Sequence, residues 1–199
     1  YPQQSQRCPL QVVPAAPEVM LDPERLDELL VHADVVEQLA AEHARADAEI
    51  WLGETGNAQC GGQPGVSDTY AGGFWWLDQL GLLARRDQAG VVRQTLAGSD
   101  YGMLDDVTFA SRPDYWSSVL HKRLMGPGVL DATHDGPETL RLYAQCHPDG
   151  GGAIALMYVN VADDPVELRV DLPGPLHPYV LTADALDSLV VALNGTALT

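Results

Sequence analysis

One short stretch decides the fold of this chain: Ile50-Trp51-Leu52-Gly53-Glu54-Thr55. Its first three residues are large and apolar, which predicts a buried β-strand. The strand ends beside a carboxylate, and a glycine-rich loop follows at residues 56–65. Buried strands of this kind are typical of parallel sheets, in which helices cover both faces. The sequence around the strand should therefore alternate helices with strands.

The residues on both sides show this alternation. Asp22 is a favourable N-cap, Pro23 suits the first helical position, and apolar residues follow at helical spacing. The predicted elements are helices at 22–46, from 67 or 68, and from 111–113, with a further strand at 91–96. Such an order is typical of parallel α/β architecture. A complete (β/α)8 TIM barrel needs about 250 residues, so we expect residues 1–126 to form only the C-terminal part of one.

The pattern changes after Gly126. Apolar and polar residues alternate from Leu140 to Cys146, as in a half-buried strand. Further strands are predicted at 153–161, 166–172, 179–182 and 189–193, and Asn194-Gly195 is a strong hairpin turn. Proline and glycine turns separate these segments, as in an all-β module. We expect an incomplete β-sandwich over residues 127–199, so that the fold class is α/β plus all-β.

Composition excludes several functions. The formal net charge of −17 disfavours binding to nucleic acid and to anionic membranes. No run of about 20 apolar residues is present, so no membrane span is predicted. The six histidines are scattered without metal-ligand spacing, and no nucleotide-binding fingerprint occurs, so neither a metal nor another cofactor is expected. No secretory signal is visible, and we expect the chain to be part of a larger assembly.

Polar residues near the two predicted strand ends are the candidate site. Glu54 stands where barrel enzymes carry catalytic groups, although a surface glutamate is an alternative. The loop at 56–65 would let backbone N–H groups approach a ligand, or it is a plain connector. Arg93 and Gln94 lie late in the next predicted strand, and Tyr101 follows shortly after it. They would contact a sugar, or they are packed at the edge of the core.

Taken together, these segments resemble glycoside hydrolase family 79, the heparanase and β-glucuronidase family. The resemblance is good over residues 50–126 and loose elsewhere. Its motifs are Ile50–Thr55, Gly61-Gly62, Val66-Ser67-Asp68-Thr69, Trp76-Leu77-Asp78, Leu80-Gly81-Leu82, Val92-Arg93-Gln94, Tyr101, Pro113-Asp114-Tyr115-Trp116 and, more weakly, Leu193-Asn194-Gly195. The loop from Cys60 to Gly65 looks more like that of microbial members.

The resemblance implies a retaining mechanism, which uses two carboxyl groups. Glu54 matches the family's nucleophile. The family's acid/base glutamate follows an asparagine on an earlier barrel strand, and no Asn-Glu pair occurs in this chain. That glutamate is therefore expected outside the chain, in the remaining N-terminal part of the barrel, on the same or another polypeptide. By itself the chain is expected to be inactive.

The resemblance also implies substrate-binding roles for residues around Glu54. The backbone at Gly61 and Gly62 matches the segment that holds the uronate carboxylate. Tyr101 and Gln94 match sugar contacts, and Tyr1 matches the end of the preceding barrel strand. Gln59 is a departure, because family members often carry tyrosine there, and this puts the carboxylate contact at position 59 in doubt.

Three functions follow as hypotheses. The first is an exo-β-glucuronidase acting on a glucuronic-acid-containing glycan or glycoside. The second is an endo-acting heparanase that cleaves heparan sulfate. The third, from another class, is a non-catalytic carbohydrate-binding or structural module, which would have no need of Glu54 at a strand end.

The three cysteines show no metal-ligand spacing. If the resemblance to a barrel holds, Cys8 and Cys60 lie in loops that follow neighbouring strands, so we expect a disulfide between them. Cys146 is expected to remain a free, packed thiol. A disulfide implies an oxidising compartment, so the protein is expected to be secreted or periplasmic.

Overall fold

The computed structural model describes residues 1–199, and its elements follow the predicted order up to Leu124. In chain order they are a 3-10 helix Pro17–Met20, α1 Pro23–His43, β1 Trp51–Thr55, α2 Tyr70–Arg85, β2 Gly90–Arg93, α3 Pro113–Leu124, β3 Val129–Leu130, β4 Leu140–Cys146, β5 Ile154–Asn160, β6 Leu181–Thr182, β7 Ala192–Leu193 and β8 Thr196–Ala197. Strands β1 and β2 pair in parallel. The remaining strands form two antiparallel sheets, in the orders β3-β4-β5 and β6-β7-β8. This mixed architecture agrees with the coarse fold class that the sequence predicts.

Local signals account for where α1 begins. The Asp22 side chain accepts a hydrogen bond from the backbone N–H of Glu24, and Pro23 is the first helical residue, which confirms the predicted start. Helix α2 begins later than predicted, after Thr69. The predicted caps are occupied elsewhere: Ser67 Oγ accepts from the N–H of Gln63 at 2.9 Å, and Asp68 Oδ1 accepts from that of Gly65 at 2.8 Å. Both residues therefore fold the glycine loop back onto the helix instead of capping it.

The prediction that β1 is buried is wrong. Trp51 is 56% exposed, and the strand's side chains are mostly accessible before Thr55. The reason is that β1 has one strand neighbour, β2, whereas a buried parallel strand is covered on both faces and paired at both edges. The Trp51 ring lies over Gly90, where a Cβ atom would come within 2.5 Å of it.

The main hydrophobic core joins both parts of the chain. Trp75 and Trp76 of α2 pack with Val159 of β5 and with Val161. Next to the core, Arg141 of β4 binds the fully buried Asp78 carboxylate of α2 at 2.8 Å. The α/β and β parts therefore share one core and one polar network. None of the helices combines the length and apolar character needed to cross a bilayer.

The antiparallel part confirms one predicted turn and departs from prediction at residues 166–172. Asn194 and Gly195 have positive φ values of 49° and 81° in the tight turn between β7 and β8, which confirms the hairpin. Residues 166–172 are not a strand. They line a groove with Leu142, Ile154 and other residues of the β3-β4-β5 sheet. Without a strand partner, their alternating pattern cannot form a ladder.

Candidate active site

Glu54 is the penultimate residue of β1, and its side chain is exposed. The next residue, Thr55, is buried and donates a hydrogen bond from Oγ1 to Gln79 Oε1 of α2 at 2.9 Å. Successive side chains of a strand point to opposite faces. Anchoring Thr55 in the core therefore presents the Glu54 carboxylate on the open face of the sheet.

The Tyr1 hydroxyl connects two of the candidate residues. It donates to Glu54 Oε1 at 2.8 Å and also contacts Gln94 Oε1. Burial, followed by the hydrogen bond to Glu54, raises the pKa of the Tyr1 hydroxyl above its usual value. The phenol therefore stays neutral and available as a donor at physiological pH. Its ring lies against Gly56, where a Cβ atom would come within 2.6 Å of the ring, so a side chain at position 56 would displace the Tyr1 ring.

The glycine loop has an unusual backbone. Cys60, Gly61 and Gly62 have φ values of 63°, 90° and 88°. Gly62 also lies against the next loop, since a Cβ atom there would be 2.6 Å from the backbone nitrogen of Tyr101. Both the positive φ and the close approach require glycine at position 62.

A second loop holds the glycine loop from the other side. Cys8 and Cys60 form a disulfide with their Cα atoms 5.5 Å apart. The N–H of Gln59 donates to the carbonyl oxygen of Gln3 at 2.9 Å, and the N–H of Ser5 donates back to that of Gln59. The Gln59 side chain is exposed.

Cys146 is free, but it is exposed, so the expectation that it is packed is wrong. It lies at the end of β4, where the strand leaves the core.

Tyr101 is positioned by a buried arginine. Arg93 Nη2 donates to the carbonyl oxygen of Tyr101 at 2.8 Å and to Asp114 Oδ2 at 2.7 Å. The guanidinium lies 5.3–5.8 Å from the ring centroids of Trp75, Trp76 and Tyr101. The sequence suggested that Arg93 contacts the sugar, but its side chain is only 3% exposed, so its role is structural. Asp114 was not identified from the sequence as the partner of Arg93. Arginine and aspartate are rarely buried unless they are paired, because each charge then compensates the other.

The predicted site residues thus lie near one another, but only some of them are in contact. Tyr1 contacts both Glu54 and Gln94 directly, and the rings of Tyr1 and Tyr101 have centroids 6.3 Å apart. Gly62 packs on Tyr101. No group of three or more metal-ligating side chains is positioned to hold a metal ion. The arrangement offers an accessible carboxylate, a neutral phenol donor and a glycine loop that is half-buried at Gly61, and such groups can hydrogen-bond a polar, sugar-sized ligand.

Comparison with known proteins shows that the chain is similar to glycoside hydrolases. Residues 14–81 match the family model described as glycosyl hydrolase family 79, N-terminal domain. Similar proteins include heparanase-like protein 1 of Arabidopsis thaliana, which is 41% identical over 75% of this chain and 27% of its own length. Heparanase of Rattus norvegicus is 40% identical over 75% of this chain and 30% of its own length.

A baicalin-beta-D-glucuronidase of Scutellaria baicalensis is 36% identical over 76% of this chain and 30% of its own length. The chain is therefore similar to glycoside hydrolase family 79, over residues 14–81 by the family model and over about three quarters of its length by these relatives. It spans between 27% and 30% of the length of these three relatives.

Proposed function

We propose that this chain contributes the nucleophile to a retaining glycoside hydrolase that acts on β-linked glucuronides, with Glu54 as that nucleophile. The observation that carries the proposal is the exposed Glu54 carboxylate on β1, held by the Tyr1 hydroxyl at 2.8 Å beside the glycine loop. In this proposal residues 1–126 belong to a (β/α)8 barrel and residues 127–199 to a β-sandwich. The remaining part of the barrel supplies the second carboxyl group.

The proposed chemistry proceeds in two steps. Glu54 attacks the anomeric carbon and forms a glycosyl-enzyme ester while the acid/base glutamate protonates the leaving oxygen; water then hydrolyses the ester. The two carboxyl groups must lie about 5–5.5 Å apart for this outcome. The Tyr1 hydroxyl would keep the attacking oxygen oriented, because it donates to one carboxylate oxygen and leaves the other free.

The substrate class is supported by the loop geometry and by the relatives. Gly61 and Gly62 carry no side chain of their own, and Gly61 is half-buried whereas Gly62 is buried against Tyr101, so a uronate carboxylate would approach the loop backbone at Gly61. Gln94, with Gln59 at the rim, would contact the sugar hydroxyls, whereas Tyr101 is only 5% exposed and packs against Gly62. The glucuronidase among the relatives favours β-glucuronides. The disulfide between Cys8 and Cys60 favours an oxidising compartment, so secretion or a periplasm.

A second candidate is an endo-acting enzyme on heparan sulfate, which the relatives named heparanase favour. The exo-acting and endo-acting candidates are distinguished by the substrates that they cleave and by the sizes of the products. An exo-enzyme releases p-nitrophenol from p-nitrophenyl β-D-glucuronide and shortens a glycan from its end, whereas an endo-enzyme rapidly lowers the size of heparan sulfate chains.

The test of the nucleophile uses the full-length protein. Glu54→Gln should lower turnover by several orders of magnitude, because it removes the covalent step. Glu49→Gln is the matched control: Glu49 is an exposed glutamate just before the same strand, and its contact is with Trp51 Nε1. A 2-fluoro glucuronide should label Glu54. Near-normal turnover in Glu54→Gln, or a label on a different carboxylate, would refute the assignment of Glu54. Wild-type protein without any glycosidase activity would instead favour the non-catalytic module.

A further inference from the structure

An ion pair lies directly beside the glycine loop. Arg7 Nη1 contacts Asp100 Oδ2, and the side chains are 59% and 26% exposed. Asp100 Oδ2 is itself buried and accepts no hydrogen bond. The positive charge of Arg7 therefore compensates the negative charge of this oxygen.

Both members of the pair are attached to the loop. The N–H of Asp100 donates to the carbonyl oxygen of Gly61 at 2.9 Å. Arg7 Nη1 is 3.7 Å from the position that a Cβ atom would take on Gly61. The disulfide between Cys8 and Cys60 joins the chain neighbour of Arg7 to the chain neighbour of Gly61. The backbone at Arg7 and at Asp100 is thus tied to the loop backbone on both sides.

The other cations near this loop are already engaged. The Arg93 guanidinium is paired with Asp114 in the interior. Arg112 contacts Asp105 and donates to the backbone carbonyl oxygen of Asp100, not to its carboxylate. The chain has a net charge of −17, so an uncompensated Asp100 carboxylate would add to the electrostatic repulsion of an anionic ligand at the loop.

We infer that Arg7 is a specificity-determining residue, which neutralises Asp100 so that the glycine loop accepts a negatively charged sugar. This inference rests on the proposed function, because it concerns the same site. Arg7 acts through Asp100 and does not need to touch the sugar. Loss of Arg7 would place a bare carboxylate beside the sugar's own carboxylate. Two like charges at about 10 Å, with an effective dielectric constant of about 20, weaken binding roughly tenfold.

The experiment measures binding, so that it does not depend on turnover. Dissociation constants of methyl β-D-glucuronide and of the neutral methyl β-D-glucoside are determined by titration calorimetry on the full-length protein. Arg7→Gln should weaken glucuronide binding roughly tenfold and change glucoside binding less than about twofold. High salt should reduce the difference, because it screens the exposed charge. Arg7→Lys should bind both sugars as the wild type does.

The decisive variant is Arg7→Gln combined with Asp100→Asn. If neutralisation is the role of Arg7, removing the carboxylate as well restores glucuronide affinity. If affinity stays low in the double variant, Arg7 contacts the sugar directly and the inference is overturned. Equal loss for both sugars in Arg7→Gln would also overturn it, since a merely structural role predicts that. Wild-type protein that shows the expected binding pattern but hydrolyses no glucuronide would refute only the proposed function.

Discussion

Breaking the buried ion pair between Arg93 and Asp114 should destabilise the protein strongly. Both side chains are 3% exposed, and Arg93 Nη2 lies 2.7 Å from Asp114 Oδ2. Opposite charges about 4 Å apart attract with about 4 kcal/mol at the effective dielectric of such sites. Removing one partner of a buried pair costs about 3–5 kcal/mol, because the other charge remains buried without compensation. Asp114→Asn keeps the shape and removes the charge, so its unfolding free energy should fall by that amount.

Guanidinium chloride unfolding of the full-length protein provides the assay. Tryptophan fluorescence is a local probe, since Trp75 and Trp76 lie against the Arg93 guanidinium. Asp47→Asn is the control: its ion pair with Arg45 is exposed on both sides, and no measurable change is expected.

The combination of Arg93→Met with Asp114→Leu separates charge from packing. It leaves neither charge unpaired, so it should recover much of the stability lost in Asp114→Asn. A loss below about 1 kcal/mol in Asp114→Asn would show that water or another group compensates Arg93. A double variant as unstable as the single one would show that hydrogen bonds from the guanidinium, not its charge, hold this region together.

Three further predictions concern the loop, the disulfide and a buried histidine. Gly62→Ala should lower the stability and the sugar affinity more than Gly65→Ala does, as measured by thermal melting and by titration. Both glycines have positive φ, but a Cβ atom would lie 2.6 Å from backbone at Gly62 and would meet open space at Gly65. Replacing both Cys8 and Cys60 by serine should cost about 4 kcal/mol in denaturant unfolding, from the chain-entropy model and their sequence separation of 52; an unchanged midpoint would contradict this. Burial lowers the pKa of His121 to about 4, so the folded state resists protonation. Stability should be complete above the unfolded pKa of about 6.5 and fall by about 3 kcal/mol as the pH drops to about 4, and His121→Leu should flatten that profile.

Local chemistry determined much of the secondary structure. The Asp22 cap and Pro23 begin α1 because their effect depends on backbone atoms only a few residues away. The Asn194-Gly195 turn forms its hairpin for the same reason, as both residues tolerate positive φ. The position of Glu54 near the end of a strand beside a glycine loop could also be predicted, because strand and loop are adjacent in the chain.

Contacts between distant residues were decided only by tertiary structure. The hydroxyl of Tyr1 meets Glu54 across 53 positions and Gln94 across 93, and no local pattern encodes such a distance. Serine is a favoured helix N-cap residue, but the Ser67 side chain hydrogen-bonds the glycine loop instead. Residues 166–172 have the alternation of a strand, yet a strand exists only where a neighbour supplies the other half of its hydrogen bonds. The sequence by itself therefore determined which residues prefer helices, strands and turns, whereas the pairing of polar groups depended on which surfaces the folded chain brings together.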